Sequence, residues 1–429
     1  MNRPNSFEGI KREILNILEE DIQNFIFLTG AAGTGKSTML EHIRNQLDLK
    51  KMVVAPTGVA ALNIGGSTIN SAFRIGFETI PVITKSKDPR FGKLLRNLEL
   101  LIIDEISMVR APMLDAISQS LQVHRNNSEP FGVVKILACG DLFQLPPVVQ
   151  SHEENTIYSK YDSVYFFDAL SFKDIKNPVF FELTKSFRQE EDDIFYELLN
   201  NIRLGINLDV TVNRINQHCY DPTLEVEPFM TLTSRKNKAE DINLHKLSYN
   251  DNEEEIIISK EKGELKENDL PAPRELKIKK DAKVMFIKND SEGRWVNGTI
   301  GTVTECLDKK KKCIKVKVDG RTHKVEREEW KKVKFTYDED LDEVYEEVVS
   351  SFKQFPLKLG WAVTIHKAQG LTLESASVDL GDGAFATGQA YVALSRCKTL
   401  DSLNLVRELK VSDALVDPDI QDFHSKHFS

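Results

Sequence analysis

The chain has 429 residues, of which 41% are hydrophobic and 29% are charged, and its formal net charge is −9 at pH 7. This composition predicts a globular protein with several domains and excludes a chain that is disordered throughout. The negative charge argues against a protein that coats nucleic acid indiscriminately, but it leaves room for a narrow basic channel.

The sequence indicates neither disulfides nor a membrane span. Its 5 cysteines are scattered without C-x-x-C spacing, which favours reduced thiols over a disulfide framework or a zinc site. No stretch approaches the roughly 18 uninterrupted apolar residues of a transmembrane helix, and the first residues carry no apolar run. We therefore expect a cytoplasmic protein that does not bind a membrane.

A glycine-rich segment, GAAGTGKS, lies at residues 30–37. The apolar run 25–28 precedes it and an amphipathic segment follows it, as expected of a phosphate loop between a buried strand and a helix. In this motif backbone N–H groups point at phosphate, Lys36 reaches the terminal phosphates and the Ser37 hydroxyl ligates Mg²⁺. The sequence therefore predicts a nucleoside triphosphate site. The predicted nucleotide-binding residues of the loop are Gly30, Ala31, Ala32, Gly33, Thr34, Gly35, Lys36, Ser37 and Thr38.

Small and hydroxyl-bearing residues follow the next predicted strand, in the segment APTGVAALNIGGSTI at 55–69. Such residues allow the close approach of a nucleic-acid backbone and can bind phosphate without reading bases. A tight loop packed on a helix would use the same residues, and the spacing leaves both interpretations open. The candidate DNA-binding residues are Pro56, Thr57, Gly58, Gly66, Ser67 and Thr68.

The segment 70–89 is too short to be a domain but long enough for a wedge. Its apolar residues are Phe73, Ile75, Phe77 and Ile80. Glycine and proline flank them, which suits a small exposed tip that stacks on the last base pair of a duplex. The alternative places the same residues in the core of the first domain. Asn70 and Phe77 are the candidate DNA contacts.

Two carboxylates, Asp104 and Glu105, follow the apolar strand at 100–103. In a doubly wound sheet this position lies next to the phosphate loop. Asp104 suits the Mg²⁺ shell, and Glu105 suits the orientation of an attacking water. A further strand ends in GDLFQLPPV, where Gln144 is placed to sense the terminal phosphate and Pro147 helps to stiffen the segment.

Later apolar runs predict a second set of alternating strands and helices. The expected strands are Val179 to Leu183, Met230 to Thr233, Trp361 to Ile365, Ala376 to Leu380 and Leu403 to Val406. This set has no phosphate loop, so it must serve the first nucleotide site from outside. Between about His245 and Val349 the pattern changes to short alternating strands, which predicts an inserted small β-barrel.

Seven segments, in this order, resemble the motifs of the Pif (petite integration frequency) family of superfamily-one DNA helicases. They are GAAGTGKS, APTGVAALNIGGSTI, IIDEISMV, GDLFQLPPV, SFRQ, HKAQG and YVALSR. The stretch Met108 to Phe131 also resembles the segment that distinguishes this family from its RecD-like relatives. The match extends from Phe25 to about Leu405, and the compact chain is similar to bacterial members.

The resemblance implies an α/β fold with two RecA-like doubly wound parallel-sheet domains, a short wedge insertion and an inserted small β-barrel accessory domain. ATP and Mg²⁺ would bind between the RecA-like domains, and single-stranded DNA would cross their top. We expect the first RecA-like domain at 1–180 with the wedge at 70–89. The second is expected at 181–245 and 350–429, and the accessory domain at 246–349.

The resemblance also assigns catalytic roles. Arg188 and Arg396 match the family's arginine positions, which reach the γ-phosphate when the cleft closes and stabilise the transferring phosphoryl group. A surface salt bridge is the alternative for each arginine. Together with Lys36, Glu105 and Gln144 they form the expected catalytic set.

Further candidates come from the HKAQG motif, which matches a family motif at the DNA. Thr364, His366 and Lys367 are the implied DNA contacts, whereas Gln369 and Gly370 are assigned to the nucleotide. A satisfied core histidine is the alternative for His366.

The segment GRWVNGTIGTV lies, in the family, in the DNA-binding accessory domain. Trp295 and Asn297 are therefore candidate DNA contacts, as is Pro147. Packing of Trp295 on its own domain is equally open.

One feature departs from the family. Its members usually carry a glutamine in a short N-terminal motif that reads adenine, and the segment from Asn5 to Glu8 contains none. Gln23 is the nearest substitute. Preference for ATP over other triphosphates therefore stays open.

The implied function is an ATP-dependent DNA helicase that moves 5′ to 3′ on single-stranded DNA and unwinds duplex or four-stranded guanine structures. The expected partners are single-stranded DNA and duplex junctions, with G-quadruplex DNA as a further candidate. We expect a monomer associated with the bacterial nucleoid. The alternatives are a nucleotide-dependent DNA-binding switch or scaffold that hydrolyses ATP without unwinding, and an RNA-directed or metabolic NTPase. A switch needs no arginines on a second domain, so the sequence favours the helicase.

Overall fold

The computed structural model describes residues 6–20, 25–76, 78–188, 192–223, 230–265, 267, 270–308, 312–338 and 340–428. The helices are α1 (Phe7–Glu19), α2 (Lys36–Gln46), α3 (Gly58–Asn63), α4 (Ile69–Phe73), α5 (Pro89–Asn97), α6 (Ala111–Arg125), α7 (Ser151–Tyr158), α8 (Leu170–Lys173), α9 (Asp193–Leu204), α10 (Leu208–Cys219), α11 (Lys236–Ser248), α12 (Ile365–Ala368), α13 (Gln389–Leu394) and α14 (Pro418–Phe428). Within the described ranges, no helix combines the length and apolar character needed to cross a membrane.

The strands fall into two parallel sheets and an antiparallel insertion. They are β1 (Phe25–Gly30), β2 (Lys51–Ala55), β3 (Ser67–Thr68), β4 (Leu100–Ile103), β5 (Lys135–Cys139), β6 (Val179–Leu183), β7 (Met230–Thr233), β8 (Glu254–Ile258), β9 (Lys260–Lys262), β10 (Glu275–Lys279), β11 (Lys283–Phe286), β12 (Ile300–Asp308), β13 (Cys313–Val318), β14 (Arg321–Val325), β15 (Glu328–Asp338), β16 (Glu343–Gln354), β17 (Leu357–Leu359), β18 (Ala362–Thr364), β19 (Ala376–Asp379) and β20 (Leu403–Leu405).

The first sheet is parallel, with the strand order β3-β2-β4-β5-β1-β6. Alternate residues of β1 enter two different cores: Phe25 and Phe27 pack in one, and Ile26 and Leu28 in the other. This explains the continuous apolar runs, because both faces of a doubly wound sheet are covered. The carboxyl ends of β1 and β4 lie at the same edge, where ligands of such sheets bind.

The strand β6 belongs to the first sheet, although the sequence pattern predicts that Val179 to Leu183 opens the second set. It pairs with β1 so that Val179 lies opposite Ile26 and Leu183 opposite Gly30. An apolar run marks a buried strand but does not say which sheet the strand joins. The first sheet therefore extends beyond the expected boundary at residue 180.

The last helix returns to the first sheet. Phe423 of α14 stacks on Phe167 with ring centroids 4.4 Å apart, and it lies 6.4 Å from Phe27. His424 Nε2 lies 3.2 Å from Glu182 Oε1 on β6. The terminal helix thus packs on the first RecA-like domain, whereas the sequence assigns it to the second.

The second sheet has four parallel strands in the order β18-β7-β19-β20. These strands correspond to the last four expected runs. Because they are parallel, the carboxyl ends of β18 and β19 lie at one edge of the sheet. The DNA-contact motif at 364–367 and the loop at 380–388 both leave from that edge.

The inserted domain is antiparallel and ends later than expected. A five-stranded sheet, β14-β13-β12-β11-β17, and the pair β8-β10 share one core. Since β16 runs to Gln354 and β17 pairs with β11, the insertion continues past the expected end at residue 349. The strands β15 and β16 form a long hairpin, here called the accessory hairpin (328–354), to which β9 adds a third strand.

The accessory hairpin reaches the first RecA-like domain. Its Glu346 pairs with Arg44 at 2.8 Å, and its Asp342 pairs with Lys50 at 2.8 Å. Phe335 of the same hairpin is buried in the core of the first domain. The accessory hairpin therefore packs against the first RecA-like domain in this arrangement.

Three of the four apolar residues of the expected wedge do not form an exposed tip. Phe73 and Ile75 are buried in the core of the first RecA-like domain, and Ile80 packs against that core. Asn70 Nδ2 donates to the carbonyl oxygen of Ile75 at 3.1 Å, which folds the segment back. Phe77 lies outside the described residues. These side chains are buried because the transfer of apolar surface from water into the neighbouring core is favourable.

Candidate nucleotide site and DNA interface

The phosphate loop links β1 to α2. Gly33 and Gly35 have left-handed φ values of 80° and 87°, and Gly35 caps α2. A side chain at Gly33 would place its Cβ within 2.4 Å of the Arg188 Cβ, so glycine is required there. The loop therefore has the tight turn that the motif predicts, with Arg188 packed against it.

Lys36 is directed at the loop. Its Nζ donates to the carbonyl oxygens of Gly30 at 2.8 Å and Ala31 at 3.0 Å. The Thr34 hydroxyl donates to the same Ala31 carbonyl at 2.9 Å. The residues exposed at the first turn of α2 are Ser37 and Thr38. An ammonium group and hydroxyls thus stand beside the loop, as a triphosphate with Mg²⁺ requires.

Asp104 and Glu105 follow β4 at the same sheet edge. Asp104 is buried, and its Oδ1 accepts the N–H of Glu105 at 3.0 Å. Glu105 has a φ of 51°, a strained backbone conformation of the kind that concentrates at functional sites. Burial and the charge of Asp104 raise the pKa of Glu105 to about 7, and the charge of Lys36 opposes the shift. A carboxylate with such a pKa suits proton transfer from water.

Two contacts join this site to the second RecA-like domain. Gln369 Nε2 donates to Glu105 Oε2 at 3.3 Å. Arg188 Nη1 donates to the carbonyl oxygen of Ser395 at 2.8 Å. Gly370 follows in an exposed turn. The structure therefore brings Gln369 to the Glu105 carboxylate and Arg188 to the phosphate loop.

Arg396 is buried in the second domain, with 1% of its surface exposed. Its guanidinium donates to the carbonyl oxygens of Val392 at 2.7 Å and Ala368 at 3.3 Å. Burial and the nearby Arg188 charge lower the pKa of Arg396, while Glu105 opposes the shift. The surface salt bridge considered for Arg396 is excluded. In this arrangement the guanidinium is held by its own domain.

Gln144 lies in a charged network that the sequence did not reveal. Its Nε2 donates to Asp141 Oδ2 at 3.1 Å. Arg203 of α9 is 3% exposed, and its Nε lies 3.3 Å from Asp141 Oδ1 and its Nη1 3.1 Å from Glu182 Oε1. Arg203 thus connects the second domain to two carboxylates of the first. A single arginine in a helix gives no signal for such partners.

Tyr391 is a second residue that sequence reasoning missed, although it opens the YVALSR motif. Its hydroxyl accepts the N–H of Ala32 in the phosphate loop at 2.8 Å and donates to Asp141 Oδ2 at 3.3 Å. Burial and Asp141 raise the pKa of Tyr391, so the hydroxyl keeps its proton at neutral pH. The second domain therefore holds a phosphate-loop N–H directly.

Two aromatic rings lie beside the phosphate loop. Phe187 is 50% exposed and meets Phe7 edge-on, with ring centroids 6.2 Å apart. A Cβ added to Gly35 would come within 3.2 Å of the Phe7 ring and 3.4 Å of the Phe187 ring. Exposed aromatic surface here suits a nucleobase. Gln23, considered in place of the adenine-reading glutamine, lies outside the described residues.

Three of the predicted DNA-binding threonines begin short helices. The Oγ1 atoms of Thr57, Thr68 and Thr364 each accept a backbone N–H from the helix that follows. Thr57 and Thr68 are half-buried, and their hydroxyl hydrogens can be donated to a phosphate oxygen, whereas Thr364 is buried. His366 and Lys367 are exposed at the start of α12, so His366 is not a core histidine.

The accessory domain covers part of the segment 55–69, which contains the predicted DNA-binding residues of the first domain. The side of a shared pocket that this segment forms consists of Gly58, Ala61, Leu62, Gly66, Ser67 and Thr68. The opposite wall consists of Leu265, Leu270, Pro271, Trp330, Lys332 and Phe352. The Ser67 hydroxyl is buried there without a hydrogen-bond partner in the part of the chain that the structure describes. Pro56, next to the pocket, is half-buried.

Two predicted DNA contacts are buried instead. Trp295 stacks on Phe286 with ring centroids 4.4 Å apart, and the Arg294 guanidinium covers it at 4.6 Å. Burying the Trp295 ring removes a large apolar surface from water, which stabilises the accessory domain. Pro147 is also buried, and Asn297 is half-buried. Trp295 and Pro147 therefore do not present a surface to DNA in this arrangement.

Comparison with known proteins identifies the family of this chain. Residues 5–212 match the family model of the PIF1-like helicases. The ATP-dependent DNA helicase Pif1 of Bdellovibrio bacteriovorus is 32% identical over 412 residues, which cover 94% of this chain and 88% of that protein.

Two solved structures are similar over the whole chain. Bacteroides Pif1 in complex with ADP-AlF4 has a TM-score of 0.89 at 35% identity, with 97% of this chain and 96% of that chain covered. Bacteroides Pif1 bound to single-stranded DNA has a TM-score of 0.67 at 36% identity, with the same coverage. The chain thus belongs to the PIF1-like family and is an ATP-dependent DNA helicase.

Proposed function

We propose that this helicase moves along single-stranded DNA as the cleft between its two RecA-like domains closes and opens. The observation that carries the proposal is the 3.3 Å hydrogen bond from Gln369 to Glu105, because it places the water-orienting carboxylate in contact with the other domain. The surroundings of Glu105 change whenever the domains shift. Hydrolysis and domain motion are thereby coupled.

The nucleotide site suits ATP and Mg²⁺. The Ser37 hydroxyl and the Asp104 carboxylate supply the oxygen ligands that Mg²⁺ prefers, and the bound ion would neutralise phosphate charge. Lys36 binds the terminal phosphates, Gln144 senses the last of them, and Glu105 takes a proton from the attacking water. These side chains lie around one sheet edge, which supports the assignment.

Arg188 and Arg396 stabilise the charge of the transferring phosphoryl group in this proposal. Arg188 already packs against the phosphate loop at Gly33. Arg396 has to exchange its carbonyl partners in its own domain for the phosphate, so we propose that it engages only when the cleft closes.

Base recognition through Phe187 and Phe7 would be broad, because stacking is available to every base. We therefore propose that the enzyme uses other purine triphosphates as well as ATP. Comparable kcat/KM values for ATP and GTP, within about tenfold, would support this proposal, whereas strict use of ATP would contradict it.

Single-stranded DNA is proposed to cross both domains, over Thr57 and Thr68 on the first and Thr364 and Lys367 on the second. The accessory domain covers part of this path, so it has to move. The TM-scores support such a movement, since they fall from 0.89 for the ADP-AlF4 complex to 0.67 for the single-stranded DNA complex at nearly equal identity.

The finer properties follow from the resemblance. We propose movement from 5′ to 3′, action at duplex junctions and on four-stranded guanine structures, and association with the bacterial nucleoid. A monomer is proposed because one chain supplies both halves of the nucleotide site. We propose a first RecA-like domain at 25–183 and 418–428, a second at 193–248 and 362–413, and an accessory domain at 254–359.

A nucleotide-dependent switch remains the alternative function, because it would hydrolyse ATP on DNA without separating strands. Hydrolysis and displacement of a tailed duplex, measured on the same preparation, distinguish the two. The helicase displaces the strand only with ATP, and the Glu105→Gln variant binds nucleotide but displaces nothing. DNA-stimulated hydrolysis without displacement by the parent enzyme would establish the switch.

A further inference from the structure

An exposed phenylalanine stands at the DNA-facing edge of the second RecA-like sheet. Phe385 lies in the loop after β19 and is 62% exposed. Its ring is nearly parallel to that of His366, with an interplanar angle of 18° and centroids 6.5 Å apart. The two rings therefore offer flat, parallel aromatic faces at one place.

The loop holds Phe385 outward by buried polar contacts. The Phe385 N–H donates to Gln389 Oε1 at 3.1 Å, and Gln389 is fully buried. The neighbouring Ala384 N–H donates to Asp413 Oδ1 at 3.0 Å, and Asp413 is itself paired with Arg407 at 2.9 Å. These backbone contacts fix the loop with the Phe385 ring exposed to solvent.

Positive charge lies next to the two rings. Lys367 follows His366 in the chain and is exposed. Aromatic faces beside cations are the combination with which proteins bind single strands, since bases stack while phosphates are neutralised.

We propose that a nucleobase of the bound single strand stacks on the exposed face of Phe385, beside the nearly parallel ring of His366. The proposal rests on the proposed DNA path. The base of the triphosphate is a poorer occupant, because Phe187 and Phe7 already provide an aromatic site at the phosphate loop. Contacts to the DNA backbone alone would not need an exposed ring. In this proposal Phe385 contacts a base, while other residues contact the phosphates.

Equilibrium binding to two fluorescent strands tests the proposal on the full chain. One strand is oligothymidine, and the other has the same length and phosphates but abasic sugars. The parent should prefer the base-containing strand, and Phe385→Ala should reduce affinity for that strand by about 5- to 150-fold. Affinity for the abasic strand and the dependence of binding on salt should stay as in the parent.

Three further variants test this interpretation. Tyr249→Ala removes another aromatic that is 73% exposed beside a histidine, but its ring meets His245 edge-on at 72°, so it should bind both strands like the parent. Phe385→Trp keeps an aromatic face and should retain the preference, while Phe385→Leu should lose it without emptying the site.

Three outcomes overturn the proposal: equal affinities of Phe385→Ala and the parent for oligothymidine, an equal loss on both strands, or a normal preference in Phe385→Leu. If the parent itself bound neither strand, the proposed DNA path would fail and not this residue alone.

Discussion

The hydroxyl of Tyr391 accepts a hydrogen bond from the Ala32 N–H at 2.8 Å, which ties the second RecA-like domain to the phosphate loop of the first. The same hydroxyl donates to Asp141, whose carboxylate also meets Gln144 and Arg203. One buried carboxylate thus connects the loop, the proposed phosphate sensor and the second domain. Any relative motion of the domains must rearrange this set.

Removing the Tyr391 hydroxyl should weaken coupling between DNA and hydrolysis. Tyr391→Phe keeps the buried ring, and we expect the stimulation of ATP turnover by single-stranded DNA to fall roughly 2- to 30-fold. The matched control is Tyr161→Phe, which removes a buried hydroxyl bonded to Asp115 at 2.9 Å within the first domain. Equal stimulation factors in the two variants would show that the Tyr391 contact is only structural.

Arg203 should contribute strongly to stability. Its guanidinium is buried between Asp141 and Glu182. Arg203→Met removes this cation and leaves Glu182 with only its contact to His424, so it should cost about 3–5 kcal/mol in the free energy of unfolding. Lys173→Met breaks the ion pairs of a partly exposed lysine with Asp162 and Asp168, and it should cost less than about 1 kcal/mol. Denaturant unfolding measures both, and a small change in Arg203→Met would refute the buried network.

Turnover should depend on pH through Glu105. Burial and Asp104 raise the pKa of this acid to about 7, so the proton-accepting form is lost as the pH falls through that value. We expect kcat to be about tenfold lower at pH 6 than at pH 8, with nucleotide binding changing less. A flat profile over this range would remove Glu105 from the role of base. Glu105→Gln should lack turnover throughout, and Lys36→Ala should lose DNA-stimulated hydrolysis.

Release of the accessory hairpin should favour DNA binding. Glu346 pairs with Arg44 of the first domain, so Glu346→Lys should loosen the docked hairpin and raise affinity for single-stranded DNA roughly 2- to 5-fold. Glu347→Lys makes the same charge change on the opposite face of the strand. Because general attraction to DNA rises equally in both variants, the difference between their affinities reports on docking. Identical affinities would contradict the proposed movement of the domain.

Local motifs were predictable because their chemistry lies within a few residues. The left-handed Gly33, the inward Lys36 and the carboxylates after β4 follow from short patterns with a fixed physical reason. The four strands of the second sheet were also recognisable as apolar runs. Arg203 and the Tyr391 hydroxyl were not, since their partners are distant in the sequence and only the fold brings them together.

Aromatic residues were the main source of error. Phe73 and Trp295 both lie in segments that suited contact with DNA, yet each is buried in the core of its own domain. Phe385 has the opposite outcome, because buried polar contacts hold its loop with the ring in water. A sequence pattern identifies an apolar side chain, but it does not show whether the fold buries that side chain or leaves it exposed.

Directional movement is tested most directly by release of streptavidin from biotinylated single strands, because the assay requires translocation and no duplex. With ATP, we expect release from a strand biotinylated at its 3′ end and little from one biotinylated at its 5′ end, with no release by Glu105→Gln. Release from neither end, on a strand that stimulates ATP hydrolysis, would contradict movement driven by cleft closure.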